Sequence, residues 1–175
     1  SGRFSSCYAV KNVETGKEGF LKAFNYIYAF REKGGGRQSA DFMKDLANDY
    51  TYERDLLLFC QERRMKRIVS AVDHGEYWEP NETIPVPYLV FEIADCSLKN
   101  APALKNPDLA WKLRAFHGCL VGLSQLHKEK IAHQDIKPSN ILIFGESVSK
   151  LSDLGNATQF GNDSPSWNMK NHCGD

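Results

Sequence analysis

The sequence predicts an α+β fold in two lobes: a small antiparallel sheet with one main helix, then a mainly helical lobe. Three observations predict it. Before Cys96, period-two alternation and turn residues dominate the chain. Within that half, Asp41 to Cys60 instead repeats its apolar residues at three- and four-residue steps. After Pro107 one long helical stripe takes over. A chain of 175 residues is long enough for one core and short for two.

The first strand is expected over Cys7 to Val13, with Ala9 and Lys11 on one face and Tyr8 and Val10 on the other. Glu14-Thr15-Gly16-Lys17 reads as a turn, and Glu18 to Phe24 returns as the partner strand. Asn25 to Ser39 carries Gly34-Gly35-Gly36 and reads as a surface excursion. In the helix that follows, Phe42, Leu46, Tyr50, Glu53 and Leu57 share a face, with Ser39 or Asp41 as cap. Ile68 to Tyr77 and Tyr88 to Ile93 read as two further strands around a Pro-rich connection, Glu79 to Pro87. Pro107-Asp108 opens a helix from Leu109 to His127, with Leu113, Phe116, Leu120, Leu123 and Leu126 on one stripe. Short strands are expected at Ile141 to Phe144 and around Val148 to Leu151. The sheet-rich half and the helical half meet at a short hinge near Cys96.

Charge narrows the function classes. Lys+Arg and Asp+Glu both number 22, so the formal net charge is zero. That argues against nucleic acid or an anionic membrane as a bulk partner. No apolar run approaches the length of a membrane span. Cys7, Cys60, Cys96, Cys119 and Cys173 show no paired or metal-like spacing, which favours a reducing, cytoplasmic setting over secretion.

The chemistry-bearing stretch is His133-Gln134-Asp135-Ile136-Lys137-Pro138-Ser139-Asn140, which runs into the apolar Ile141-Leu142-Ile143-Phe144. Asp153-Leu154-Gly155 follows after a further short strand. Asn140 and Asp153 offer oxygen donors on either side of a hairpin, a set that suits Mg²⁺ held against a polyphosphate. Asp135 can orient a hydroxyl for attack. Taken singly, each has a bland reading: Asp135 and Asn140 as turn residues, Lys137 as a solvated loop lysine. The combination points to phosphoryl transfer. Upstream, Lys22 shares an alternating face with Phe20 and Phe24, and a lysine on an apolar face needs a partner. Glu53 and Asp49, on the following helix, are the two carboxylates in register.

These motifs resemble the eukaryotic-type protein kinase domain of the Ser/Thr class. His133-Gln134-Asp135 stands where that family has His-Arg-Asp, Asn140 matches its catalytic-loop Asn, and Asp153-Leu154-Gly155 matches Asp-Phe-Gly. Gly19-Phe20-Leu21-Lys22 resembles the strand carrying the phosphate-pairing Lys, and Glu53-Arg54-Asp55-Leu56-Leu57 resembles the helix segment carrying its Glu partner. The resemblance implies a protein-kinase-like two-lobed fold, with residues 1–93 as N-lobe, an enlarged insert at 25–40, and residues 94–175 as the first part of a C-lobe. It also implies ATP and Mg²⁺ as cofactors and a protein substrate with a Ser or Thr acceptor.

By that resemblance Asp135 is the catalytic base and Lys137 reaches the transferring phosphate, the latter marking the Ser/Thr class. Asn140 and Asp153 hold the metal, and Gly155 lets the backbone turn sharply after it. Gly2 and Phe4 belong to the Gly-rich loop, with Ser5 where its third Gly is expected and Cys7 in place of the usual Val. Lys22 and Glu53 pair against the phosphates. Phe91 is the gatekeeper, and Glu92-Ile93-Ala94 the hinge that meets adenine. His133 reads as a structural histidine under the loop. Gln134 departs most, because the family's Arg there binds activation-segment phosphate. The family's Ala-Pro-Glu-like motif and later helices do not occur within these residues, so the chain reads as truncated after the activation segment. A nucleotide-binding pseudokinase or scaffold, and a small-molecule kinase on the same fold, are the competing readings. Lys137 disfavours the small-molecule kinase.

Overall fold

The computed structural model describes residues 5–26, 37–80, 82, 84–102 and 106–160, with the side chains of 37–43 also outside the description. Two compact units emerge. One comprises Ser1–Phe59 with Ser70–Ile93, the other Cys60–Val69 with Ala94–Asp175. Expectations for Gly2, Phe4 and most of the 25–40 insert lie outside the described residues.

The first unit is built on a four-stranded antiparallel sheet of order β1-β2-β4-β3, formed by β1 (Ser5–Lys11), β2 (Glu18–Phe24), β3 (Ala71–Tyr77) and β4 (Val86–Glu92). The β1–β2 turn is set by Asn12, whose Oδ1 accepts from the backbone N–H groups of Glu14 and Thr15. Gly16 supplies the positive φ of 68° that the turn requires. Pro87 lies inside β4 rather than in the connection before it. It sits where β4 pairs only with β3, just beyond the last β2 pair, Tyr88 opposite Ala23.

One long helix, α1 (Arg37–Glu62), follows β2. It begins earlier than its periodicity indicated, so Ser39 and Asp41 lie inside it and neither caps it; residues 37–40 are helix, not insert. Its attachment to the sheet is seen in Tyr26, whose hydroxyl donates to the Leu46 carbonyl at 2.8 Å, and in the edge-on contact of Phe24 with Tyr50.

In the second unit, β5 (Cys96–Ser97), β7 (Ile141–Phe144) and β8 (Val148–Leu151) form a three-stranded sheet, and β6 (Ile131–Ala132) pairs with β9 (Thr158–Gln159). Ile68 and Val69, expected in a strand running on to Tyr77, belong here instead. Both are 2% exposed; Ile68 bridges to Leu151, and the Val69 N–H donates to the Leu151 carbonyl.

The helix α2 (Leu109–Lys128) is capped by Asp108, whose carboxylate accepts from the Trp111 N–H at 2.7 Å. Its buried face is not the leucine stripe. Trp111, Ala115, Gly118, Cys119, Gly122 and Leu126 are buried, while Leu113, Phe116 and Leu120 are exposed. Small residues win that face because β8 and Arg67 both approach closely. A Cβ on Gly122 would lie 3.0 Å from the Arg67 carbonyl, and one on Gly118 would run into the Ser149 hydroxyl. Leu126 alone of the expected stripe is fully buried, at 0% exposure. Among the described residues no helix is long and apolar enough to cross a membrane.

Candidate active site

In the first unit, β2 carries Lys22 between Cys7 on β1 and Leu89 on β4. Its ammonium meets both oxygens of Glu53, at 3.0 Å to Oε1 and 2.7 Å to Oε2. Glu53 is 2% exposed and shares a face of α1 with Tyr50 and Leu57, as the helical spacing predicted. The Phe24 ring lies 5.2 Å from the ammonium and adds a cation–π contact. Of the two carboxylates in register, Glu53 and not Asp49 makes this ion pair.

Phe91 is buried on β4, opposite Phe20 and Ala71. Glu92, next along, clasps Ser70: its carboxylate accepts from the Ser70 N–H at 2.7 Å, and its own N–H donates to the Ser70 carbonyl. Ala94 is half-buried just ahead of β5, and the Asp95 N–H bonds the Ile143 carbonyl in the second unit.

The second unit gathers Asp135, Lys137 and Asn140. Asp135 Oδ2 accepts from Lys137 Nζ at 2.7 Å and from Asn140 Nδ2 at 2.9 Å. The Asp135 backbone carbonyl takes a further bond from Asn140 Nδ2. Lys137's hydrogen bond, aided by its charge and by Asn140, holds the Asp135 carboxyl below its usual range, against a smaller opposing effect of burial. Asp135 is therefore ionised at neutral pH and accepts hydrogen bonds rather than donating them.

His133 anchors this loop from below. It is 2% exposed, and its Nε2 faces the Ser152 carbonyl at 3.0 Å. A carbonyl can only accept, so Nε2 carries the proton. Nδ1 is then free to accept from the Asp135 N–H at 3.4 Å. Burial lowers the His133 pKa, which fits this neutral tautomer. The histidine is structural, as the sequence indicated.

Asn140 is nearly buried and closes the turn between Lys137 and β7. Its amide nitrogen is committed to Asp135. Among the described residues its Oδ1 takes only a 3.3 Å contact from Ser139 Oγ, leaving an oxygen of the kind a hard divalent cation prefers. The Asn140 carbonyl accepts from both the N–H and the hydroxyl of Ser152, at 2.9 and 3.1 Å. Ser152, the residue before Asp153, is thus bonded to Asn140 on one side and to His133 on the other. Nothing in the sequence singled Ser152 out beyond its place next to an aspartate.

Asp153 adopts a left-handed conformation, φ 64° and ψ 67°. The sharp turn expected at Gly155 is therefore made two residues earlier, by Asp153 itself. Gly155 lies in a short 3₁₀ turn, Leu154–Asn156, whose Leu154 is fully buried. An amide oxygen from Asn140 and a carboxylate from Asp153 are donors of the kind that suits Mg²⁺.

The family model described as protein kinase domain matches residues 1–175. The chain belongs to the protein kinase family. The chain is 29% identical over 163 residues to cyclin-dependent kinase 9 of Danio rerio, covering 91% of this chain and 40% of that protein. It is 40% identical over 97 residues to a calcium/calmodulin-dependent protein kinase kinase of Caenorhabditis elegans, covering 54% of this chain and 16% of the relative. With a probable cyclin-dependent serine/threonine-protein kinase of Dictyostelium discoideum it shares 37% over 102 residues, covering 57% of this chain and 7% of the relative. The chain thus spans less than half the length of each of these relatives.

Proposed function

We propose that this protein is an ATP-dependent serine/threonine kinase that transfers the γ-phosphate to a Ser or Thr hydroxyl of a protein substrate. The observation that carries the reading is the grip on Asp135: an ionised carboxylate held by Lys137 and Asn140, with Ser152, the residue before Asp153, bonded to the Asn140 carbonyl. Asp135 accepts the proton of the attacking hydroxyl. Lys137, half-exposed beside it, offsets charge on the transferring phosphate. Asn140 and Asp153 hold Mg²⁺, which neutralises phosphate charge when bound. Lys22, oriented by Glu53, binds the α- and β-phosphates. Gly2 and Phe4 belong to the loop over the phosphates, while Phe91, Glu92 and Ala94 line the adenine side. In this reading residues 1–93 form the N-lobe and 94–175 the first part of the C-lobe of a cytoplasmic enzyme.

Two variants of the intact protein test it. Asp153→Ala abolishes phosphate transfer from ATP to a mixed protein substrate. Asp135→Ala leaves nucleotide binding largely intact and cuts turnover by about 10²–10⁴-fold, the usual worth of a positioned base. Normal transfer by Asp153→Ala would sink the metal assignment. Nucleotide binding by the parent protein without any transfer would favour the scaffold.

A further inference from the structure

One side-chain contact ties the segment after Asp153 back to the loop that carries Asp135. Gln134 Nε2 donates to Thr158 Oγ1 at 3.1 Å. Gln134 stands between the buried anchor His133 and Asp135, in a left-handed conformation with φ 62°. Thr158 opens β9, which pairs with β6 through only two positions, Thr158 opposite Ala132 and Gln159 opposite Ile131. The Phe160 N–H then donates to the Lys130 carbonyl at 2.8 Å, and its ring meets His127 edge-on. A ribbon this short is marginal on backbone bonds alone. The side-chain bond lies at its open end, on the side of Asp135. Its partners are an amide and a hydroxyl, both neutral, so it forms in the unmodified chain.

We propose that Gln134 is a positioning residue whose hydrogen bond to Thr158 fixes the segment following Asp153 against the Asp135 loop without a phosphate. The proposal rests on the reading of Asp135 and Asp153 as the phosphotransfer residues. It assigns to a neutral pair a task that a charged residue and a phosphorylated partner could otherwise perform. Nothing about it requires Gln134 to touch substrate. Its effect passes through the backbone that Asp153 and Thr158 share.

The test is a double-mutant cycle on the intact protein: Gln134→Ala, Thr158→Val and the pair together, with Thr158→Ser as the conservative control. Two readouts are taken, hydrogen exchange at the Phe160 amide and the kcat and KM for ATP. Each single variant is expected to speed Phe160 exchange and lower kcat by about three- to ten-fold, the range one net hydrogen bond spans. KM for ATP stays within about two-fold, because the contact positions and does not bind nucleotide. The double variant is no worse than the worse single, and Thr158→Ser retains parent behaviour. Losses that multiply in the double variant, or unchanged Phe160 exchange in both singles, overturn the proposal. If the parent protein transfers no phosphate, the kinase reading fails on that result, while the exchange cycle still reports whether the tether exists.

Discussion

Lys22 and Glu53, 31 residues apart, meet through both carboxylate oxygens, with the Glu53 side chain at 3% exposure and that of Lys22 at 17%. The asymmetry predicts an asymmetric response. Removing the lysine strands a carboxylate in the interior; removing the glutamate leaves an ammonium with some access to water. Breaking a buried pair costs about 3–5 kcal/mol. Lys22→Ala is expected near that range, and Glu53→Ala about 1–2 kcal/mol less. Urea unfolding of the two variants measures the order. The reverse order would show that the lysine carries the larger burial cost.

Gly118 predicts a stability effect without any change at the candidate active site. A Cβ there meets the hydroxyl of Ser149 and lies 3.1 Å from Arg67 Nη1. The hydroxyl cannot swing aside freely, because it donates to the Ala115 carbonyl at 2.6 Å and Ser149 is fully buried. Gly118→Ala is expected to destabilise by about 1–2 kcal/mol, overpacking outweighing the gain in helix propensity. Ser124→Ala, on an exposed part of the same helix, is the control and stays within about 0.5 kcal/mol of the parent. Equal midpoints for the two would mean that β8 yields to the extra methyl.

His133 and Asp135 divide the acid range. Burial places the folded pKa of His133 below its ordinary 6.5. The unfolded state therefore binds the extra proton first, and the stability from a neutral His133 is lost as pH falls from about 6.5 towards the folded value. Asp135, lowered chiefly by Lys137, contributes stability above its ordinary 3.8 that is lost only below that pH. Between about pH 7 and pH 5 the fall belongs to the histidine, and His133→Gln should remove up to one proton of slope, about 1.4 kcal/mol per pH unit. An unchanged slope would place the titrating group elsewhere.

Phosphorylation after Asp153 is predicted to activate weakly. Thr158 begins β9 and is bonded to Gln134, while Ser164 and Ser166 lie beyond the described residues. A phosphate needs a cationic partner to order a loop, and Gln134 has no charge to offer. Turnover of protein phosphorylated on this segment should stay within about tenfold of the phosphatase-treated form. A hundred-fold rise would mean that another basic group has taken the place of the missing arginine.

Much of the site was legible because its signals are short-range. Asp135, Lys137 and Asn140 lie within six residues, and a loop that short can bring them together only in a few ways. The Lys22–Glu53 pair was legible for another reason: an ammonium on an apolar strand face demands a carboxylate, and helical spacing left two. The misreadings are contextual. The leucine stripe of α2 has ideal periodicity, yet periodicity cannot say which neighbour comes close enough to exclude a leucine. Gly118 and Gly122, which the stripe left out, mark where the neighbours come close. Ser152 was invisible because it acts through its backbone and a short hydroxyl. Gly155 was assigned a turn on residue type, whereas Asp153 takes the left-handed geometry, held from before by Ser152 and after by buried Leu154.

The grouping of residues 60–69 with the later part of the chain sets an order of events during synthesis. Arg67 waits 82 residues for Ser149, whose carbonyl its guanidinium bonds, and the Leu151 N–H closes on the Arg67 carbonyl only after that. At about 5–20 residues per second this interval lasts on the order of 4–16 s on the ribosome. The first unit has all its strands once residue 92 is made. Ile68 and Val69 must stay uncovered, or be shielded by other factors, until β8 arrives, so slow translation between the two stretches would lengthen the nascent chain's exposure to aggregation.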